Sequence, residues 1–306
     1  MSIRLFDGHC DTAFELFRKR EHLFRNSGHI DLQRGAVFSD YVQVFAFCSL
    51  AGLSGLKWTS EELLFGPLNY LLEEIRQNSE YIAVADSVDA VSCLHNKGKI
   101  VAMFGIEGAE VICCDPKRLR ELREQGFVMT TLTWNADNIL AGCHSSDRGL
   151  TSAGRDFVEE AQSLGLRIDV SHLSERAFWD LISVTKAPIL ASHSNCRSIC
   201  EHSRNLSDDQ LRAIGDTGGT VGLNLYPVFL GMKADFDLLR RHLEHMLSLC
   251  GEKHVALGGD LDGCDTLADG FSHVGDYNTF YDYLAGKGYS KTLLEDIFYN
   301  NLMGVL

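Results

Sequence analysis

The chain has 306 residues, of which 45% are hydrophobic and 23% charged, proportions typical of a globular protein with a sizeable core. Its 28 Lys and Arg residues stand against 42 Asp and Glu residues, which gives a formal net charge of −14. Such a surface repels phosphate backbones and anionic lipid, so we expect no nucleic-acid partner and no membrane partner. An anionic substrate would need local positive charge, from a metal or from a buried Arg.

The lack of a recognisable targeting signal and the placement of the cysteines favour a cytoplasmic protein. Residues 1–7 contain no basic region followed by a long apolar run, and no apolar stretch approaches the length that spans a bilayer. None of the ten cysteines forms a Cys-x-x-Cys pair. Because Cys48, Cys93 and Cys250 lie within apolar segments, we expect them to be small buried thiols in a reducing compartment.

Short apolar, β-rich runs alternate with amphipathic stretches along the chain. The predicted strands are residues 3–7, 42–47, 100–105, 128–133, 166–170, 188–192, 220–225 and 254–259. The clearest helical stretches are residues 61–80, 155–164, 175–184 and 236–249, with further helix starts predicted at Ser207 and Ser290. On the last of these stretches, His242 and His245 are expected to face solvent. Strands that are apolar on both faces and separated by helices predict a parallel sheet covered by helices.

Eight strand–helix units favour a closed barrel over an open doubly wound sheet. The glycine pattern of a dinucleotide site and the glycine-rich loop of a phosphate site are both absent from the sequence. No linker or low-complexity tract marks a boundary, so residues 1–306 are predicted to form a single (β/α)8 TIM barrel domain. The C-terminal ends of barrel strands form the active-site face, and the candidate functional residues are therefore those that follow each strand.

Metal-binding residue types follow the first and third predicted strands. His9 and Asp11 are two positions apart, so on an extended segment both leave the same face and can share a metal. The alternative is a capping Asp beside a His in a turn. Glu107 stands between glycines directly after a buried strand, where a carboxylate must pair with a cation or a metal. A carboxylate can also bridge two metals.

Further candidates follow the fifth, sixth and eighth predicted strands. His172 and His193 would each, if alone, be interpreted as hydrogen-bonded core residues, but together with the earlier donors they favour metal ligands. The resulting five ligands exceed the need of one tetrahedral zinc and suit two metals that share Glu107. Imidazole with carboxylate selects zinc or a similar divalent ion. Asp260, after two glycines, is placed to take a proton from a metal-activated water.

The loops supply candidate substrate contacts. Arg204 follows the sixth strand and could clamp a substrate carboxylate through two hydrogen bonds, or it could pair at the surface with Asp208 or Asp209. His144, after the fourth strand, is either a substrate contact or an ordinary loop residue. No Ser or Cys nucleophile with a paired base is evident, and the Gly-x-Ser-x-Gly elbow is missing.

These motifs together resemble those of the membrane (renal) dipeptidases, which are zinc dipeptidases of the amidohydrolase superfamily. The resemblance runs nearly end to end, in order, through residues 7–11, 105–108, 132–133, 149–151, 168–172, 192–194, 203–206 and 258–263. It implies a (β/α)8 barrel, a dipeptide substrate that often carries a D-residue at its C-terminal position, and a homodimer.

The resemblance also implies a role for each matching residue. His9 and Asp11 would hold one zinc, and His172 and His193 would hold the other. Glu107 would bridge the two metals. Arg204 would bind the terminal carboxylate of the dipeptide, and Asp260 would act as the acid and base.

One position departs from the pattern. Trp134 stands where the mammalian enzymes have a His that contacts the substrate near the scissile carbonyl. Trp offers an N–H donor and an apolar face but cannot take up a proton, so we expect altered specificity rather than loss of activity. Trp134 and the neighbouring Asn135 are the candidate contacts at this place. The export signal and lipid anchor of the mammalian forms are also missing from the sequence.

The sequence thus predicts a metal-dependent dipeptidase that hydrolyses the amide bond with a water activated by two zinc ions. A second possibility within enzymes is another amidohydrolase reaction, such as deacetylation of an N-acyl amino acid, which needs the same metals. A third is a non-catalytic metal-binding barrel, which predicts the loss of a ligand or of the acid and base. The five ligand positions and Asp260 all hold residue types that can bind a metal or transfer a proton, which argues against this third possibility.

Overall fold

Eight parallel strands close into a barrel in the computed structural model, which describes residues 2–50 and 58–306. All eight predicted strands are confirmed, and the ring closes where β2 pairs with both β1 and β4. A ninth strand, which the sequence did not predict, pairs with the first residues of β4. The strands are β1 (Arg4–Cys10), β2 (Asp40–Cys48), β3 (Ile82–Val84), β4 (Ile100–Glu107), β5 (Phe127–Thr131), β6 (Arg167–Asp169), β7 (Leu190–Ala191), β8 (Thr220–Leu223) and β9 (Val255–Leu257).

Helices follow most strands and cover the barrel. The α-helices of the described residues are α1 (Thr12–Lys19), α2 (Leu32–Gly35), α3 (Ser60–Gln77), α4 (Val88–His95), α5 (Leu119–Glu124), α6 (Ser152–Ser163), α7 (Glu175–Ile182), α8 (Asp208–Asp216), α9 (Pro227–Leu230), α10 (Phe236–Cys250), α11 (Tyr277–Gly286), α12 (Lys291–Glu295) and α13 (Asn301–Val305). A π-helix, Asp296–Asn300, joins the last two. Within residues 2–50 and 58–306, no helix combines the length and the apolar character that crossing a bilayer requires.

Successive residues of a strand pack into different parts of the core. Phe6, Val44 and Met103 belong to a smaller buried cluster made mostly of strand side chains. Leu5 and Phe45, each one position away from a member of that cluster, belong to a larger one that includes helix residues. Side chains of a strand alternate between its two faces, so this division matches a filled barrel interior and a separate layer between strands and helices.

Two predictions about individual residues were wrong. His242 does not face solvent: it is fully buried, accepts a hydrogen bond from the backbone N–H of Cys196 at 3.1 Å, and bonds to the carbonyl of Leu230 at 3.0 Å. It therefore ties α10 to the loop after β7 and to the end of α9, and both ring nitrogens are used. Cys93 is exposed on α4, whereas Cys48 and Cys250 are buried as expected. His245 is partly exposed and pairs with Asp208.

Candidate active site

The predicted site residues meet in one cleft at the C-terminal ends of the strands. His9 is the penultimate residue of β1 and Glu107 ends β4, while His172, His193 and Asp260 follow β6, β7 and β9. Parallel strands of a barrel bring all their C-terminal ends to the same rim, which is why residues so distant in sequence become neighbours. The cleft has a volume of about 860 Å³ and is lined by Glu107, His172, His193, Arg204 and Asp260, among others.

Three donor atoms form a first triangle at the β1 side of the cleft. Nε2 of His9 lies 3.6 Å from Oδ2 of Asp11 and 3.7 Å from Oε1 of Glu107. It also lies 3.9 Å from Oδ1 of Asp260. Ligands about 2.0–2.2 Å from a tetrahedral zinc stand about 3.3–3.6 Å from one another. Both distances, from His9 to Asp11 and from His9 to Glu107, are therefore close to the spacing that such a metal requires.

A second triangle shares a corner with the first. Nε2 of His172 lies 2.9 Å from Oε1 of Glu107 and 3.2 Å from Nε2 of His193. Nε2 of His193 lies 3.5 Å from the same Glu107 oxygen. Glu107 thus stands between an imidazole and carboxylate pair on one side and a pair of imidazoles on the other. This arrangement suits a carboxylate that bridges two cations.

The buried polar atoms of His9 support a metal at this place. His9 is only 1% exposed, yet neither ring nitrogen has a hydrogen-bond partner among the described residues. Burying a polar atom without a partner is costly, so buried ring nitrogens of native proteins are almost always satisfied. A cation within the first triangle would satisfy Nε2.

The electrostatics of the cleft also favour cations. Burial raises the pKa of Glu107 and of Asp260, and their neighbouring carboxylates add to this effect. Burial lowers the pKa of His172 and of His193, which keeps both imidazoles neutral and able to donate a lone pair. Burial also lowers the pKa of His9, but the surrounding carboxylates outweigh it and raise the value to about 10. Buried carboxylates thus gather at one place, and a divalent metal there would replace the protons that the raised pKa values of Glu107, Asp260 and His9 favour.

Arg204 lies inside the cleft and not at the surface. It is 4% exposed, and its Nη2 lies 2.7 Å from Nε2 of His193. The surface ion pair considered from the sequence is wrong, because Asp208 pairs with His245 and Asp209 with Arg212. Nε and Nη1 of Arg204 are buried without a hydrogen-bond partner in the part of the chain that the structure describes. Two donors of this guanidinium are thus available to an anionic ligand.

Comparison with known proteins identifies the family. The family model described as membrane dipeptidase (peptidase family M19) matches residues 1–306. The chain belongs to that family. It is accordingly a metallopeptidase of the dipeptidase type, and such an enzyme acts through a divalent metal.

Individual relatives agree with this assignment. An uncharacterized dipeptidase of Schizosaccharomyces pombe is 31% identical, over 98% of this chain and 80% of the relative. A dipeptidase of Aspergillus oryzae is 27% identical, over 99% of this chain and 78% of the relative. A crystal structure of a metallopeptidase from Rhodobacter sphaeroides, liganded with a phosphinate mimic of the dipeptide L-Ala-D-Ala, superposes with a TM-score of 0.90 at 26% identity, over 100% of this chain and 99% of the other.

Outer hydrogen bonds orient the two imidazoles of the second triangle in this metallopeptidase. Nδ1 of His193 lies 2.7 Å from Oγ of Ser192, whose hydroxyl donates to Asp169. Nδ1 of His172 lies 2.8 Å from Oδ1 of Asn135. A partner on Nδ1 fixes the ring so that Nε2 faces the ligand. Sequence reasoning assigned no role to Ser192 or Asp169, although both lie within motifs that carried the resemblance.

A second set of bonds holds Asp260 and the end of β1. Nδ2 of Asn224 donates to Oδ2 of Asp260 at 3.0 Å, and Asp260 has a left-handed φ of 57°. Asp7, fully buried, accepts hydrogen bonds from the hydroxyl of Tyr277 at 2.6 Å and from the backbone of Gly259 at 3.1 Å. Asp7 thereby joins β1 to the loop that carries Asp260. No role was predicted for Asn224 or Tyr277.

Trp134 and His144 both line the cleft beside the second triangle. The Trp134 ring centroid lies 6.0 Å from that of His172, and the His144 centroid lies 6.1 Å from it. Nδ1 of His144 bonds at 2.8 Å to Oγ of Ser203, the residue before Arg204. This bond fixes the His144 ring against the loop that carries Arg204. Trp134 and His144 are thus placed where a substrate could contact them.

Proposed function

We propose that this protein hydrolyses the amide bond of dipeptides with two zinc ions held in the cleft. The observation that carries the proposal is the pair of donor triangles that share Glu107. One centre would be held by His9 and Asp11, the other by His172 and His193. Two such metals polarise a carbonyl and acidify a water molecule. Nε2 of His9, which is buried without a partner among the described residues, supports this occupancy.

Arg204 supports a substrate with a free carboxylate. Its Nη2 contacts His193, and its other two nitrogens are buried and have no partner within residues 2–50 and 58–306. A metal on Nε2 of His193 would compete with that contact and release the guanidinium. A planar guanidinium binds a carboxylate through two parallel hydrogen bonds. The C-terminal carboxylate of a dipeptide would thus lie at Arg204, and its amide bond would reach the two triangles.

Asp260 supports proton transfer next to the amide bond. Asn224 holds Oδ2, so Oδ1 remains directed towards the first triangle. Burial raises the pKa of Asp260, which brings the carboxyl closer to the range in which it can both accept and donate a proton near neutral pH. Asp260 would accept a proton from the attacking water and deliver it to the leaving amine.

The test is a substrate panel assayed with and without a chelator, alongside metal analysis. The panel contains L,L-dipeptides, L,D-dipeptides such as L-Ala-D-Ala, and N-acetyl amino acids. We expect turnover of dipeptides, loss of turnover after chelation, recovery with zinc, and about two metals per chain. Turnover of the N-acetyl amino acids alone would favour the deacetylase alternative. Full activity in metal-free protein would refute the proposal.

A further inference from the structure

Cys48 ends β2 directly beside the proposed bridging carboxylate. In the parallel register of β2 and β4, Cys48 is paired with Glu107. Paired residues of neighbouring strands project to the same face of a sheet. Cys48 is 6% exposed and lines the cleft beside Glu107. Its sulfur is thus at the wall of the metal site and not in the layer beneath the helices.

The sulfur lies within reach of a shared cation. Sγ of Cys48 and oxygens of Asp11 and Glu107 lie within 4.8 Å of one another. Nε2 of His9 stands 3.6–3.7 Å from those carboxylates and is buried without a partner in the described part of the chain. The unsatisfied imidazole points to a ligand independently of the thiol. The thiol and the two carboxylates therefore form one donor group, and the imidazole of His9 stands beside both carboxylates.

We propose that Cys48 is a thiolate ligand of the metal held by His9, Asp11 and Glu107. The proposal rests on the metal centre proposed above and adds a fourth protein donor to one half of it. On binding, the S–H bond breaks, the proton leaves to solvent, and the sulfur donates an electron pair to the metal. Thiolate is a soft ligand that favours zinc, cobalt or cadmium over magnesium or manganese. The two halves of the centre would therefore differ in metal preference.

The experiment uses Co²⁺, because sulfur bound to cobalt produces an intense charge-transfer band in the near ultraviolet that oxygen and nitrogen ligands do not. The full chain is stripped with a chelator and titrated with Co²⁺ while the bound metal is counted. We expect the band to grow with the first or second equivalent of cobalt in the wild type. The Cys48→Ser variant, which keeps an oxygen at the same place, should bind cobalt without the band.

Cys264→Ser is the matched control. Cys264 also lines the cleft, but its thiol donates to the carbonyl of Asp260 at 3.4 Å and belongs to none of the donor groups described above. The band should survive this substitution. We also expect Cys48→Ser to lower the affinity for zinc by about 10- to 100-fold, a loss seen even for groups that only orient a ligand. The affinity for manganese should change little.

The outcomes separate this proposal from the one it rests on. Two bound cobalt ions without a charge-transfer band would overturn Cys48 as a ligand and leave the metal centre intact; Cys48 would then only pack beside Glu107. A band that persists in Cys48→Ser would also overturn it. Failure of the wild type to bind cobalt or zinc would overturn both proposals. If Cys48→Ser fails to fold by circular dichroism, Cys48→Ala takes its place.

Discussion

Asp260 is fixed by one oxygen and free at the other, which makes it suitable for a conservative test. The substitution Asp260→Asn keeps the size of the side chain but removes the group that exchanges a proton. General acid and base catalysis contributes about 10²–10⁴-fold, so we expect kcat to fall by about that factor. Metal content, measured by elemental analysis, should change little. A rise in KM with unchanged kcat would contradict the role in proton transfer.

Arg204 is the candidate for recognition of the substrate carboxylate. The substitution Arg204→Met keeps much of the apolar stem and removes the charge. Truncating one partner of a buried charge pair costs about 2–5 kcal/mol, which corresponds to a rise in KM of at least about 30-fold. The matched measurement uses the same dipeptide with an amidated C-terminus, where wild type and variant should differ little. If the variant raised KM equally for the free and the amidated dipeptide, Arg204 would not be binding the substrate carboxylate.

Asn135 was predicted from the sequence as a substrate contact, whereas its side chain lies against His172. If it orients that ring, Asn135→Ala should weaken metal binding by about 10- to 100-fold. Asn135→Asp, which retains the acceptor oxygen, should restore most of the affinity in a titration with zinc. A purely substrate-binding role predicts a different result, namely full metal affinity in both variants and a raised KM.

At the scale of single elements, strand ends were easier to predict than the conformation just after them. His9 and Asp11 were expected on one extended segment, but β1 ends at Cys10, and Asp11 is the N-cap residue of α1, with φ −101° and ψ 15°. Asp11 reaches His9 because its backbone N–H is bonded to Leu261 of the neighbouring loop at 2.9 Å. The sequence shows which residue types follow a strand, but their backbone conformation depends on hydrogen bonds to the neighbouring loop.

Helix starts were predictable because the signal is local. Ser207 and Ser290 both cap helices through their side chains, as expected. β3, which has three residues and directly follows the stretch predicted as a helix over 61–80, was missed. Asn224 and Tyr277 were missed for another reason: each acts on a carboxylate more than 30 positions away, and no spacing in the sequence records such a contact.

His242 on α10 gives a test of pH dependence at this scale. Burial lowers its pKa to about 4, below the value of about 6.5 in an unfolded chain. The unfolded state therefore takes up a proton that the folded state refuses. The resulting stabilisation is complete above pH 6.5 and is lost as the pH falls towards 4, by about 3 kcal/mol in total.

The measurement compares wild type with His242→Asn, both stripped of metal, by urea unfolding between pH 7.5 and 4.5. The variant should be less stable at pH 7.5, because it loses the bond to Leu230. Its free energy of unfolding should then fall less steeply with acidification than that of the wild type. Parallel slopes would show that His242 takes up protons equally in both states.

For the whole molecule, the barrel was predictable because its strands are apolar on both faces. The loss of stability that arises from burying charged residues at its site was not predictable. The cleft gathers side chains from β1, β4 and the segments after β6, β7 and β9 into a buried cluster of carboxylates and imidazoles. Without cations, Asp11, Glu107 and Asp260 repel one another at short range, and burial makes this repulsion stronger. Metal binding would therefore join segments across the entire ring and remove a source of instability.

This coupling predicts that metal raises the melting temperature. A ligand at 100 times its Kd stabilises the folded state by about 2.7 kcal/mol, so two such sites contribute about 5 kcal/mol. In a chain of this size each kcal/mol shifts Tm by about 2 °C, and zinc should raise the Tm of stripped protein by about 10 °C in calorimetry. Glu107→Gln weakens the ligand common to both triangles and should remove more than half of that rise. An equal rise in the variant would mean that the two sites do not share Glu107.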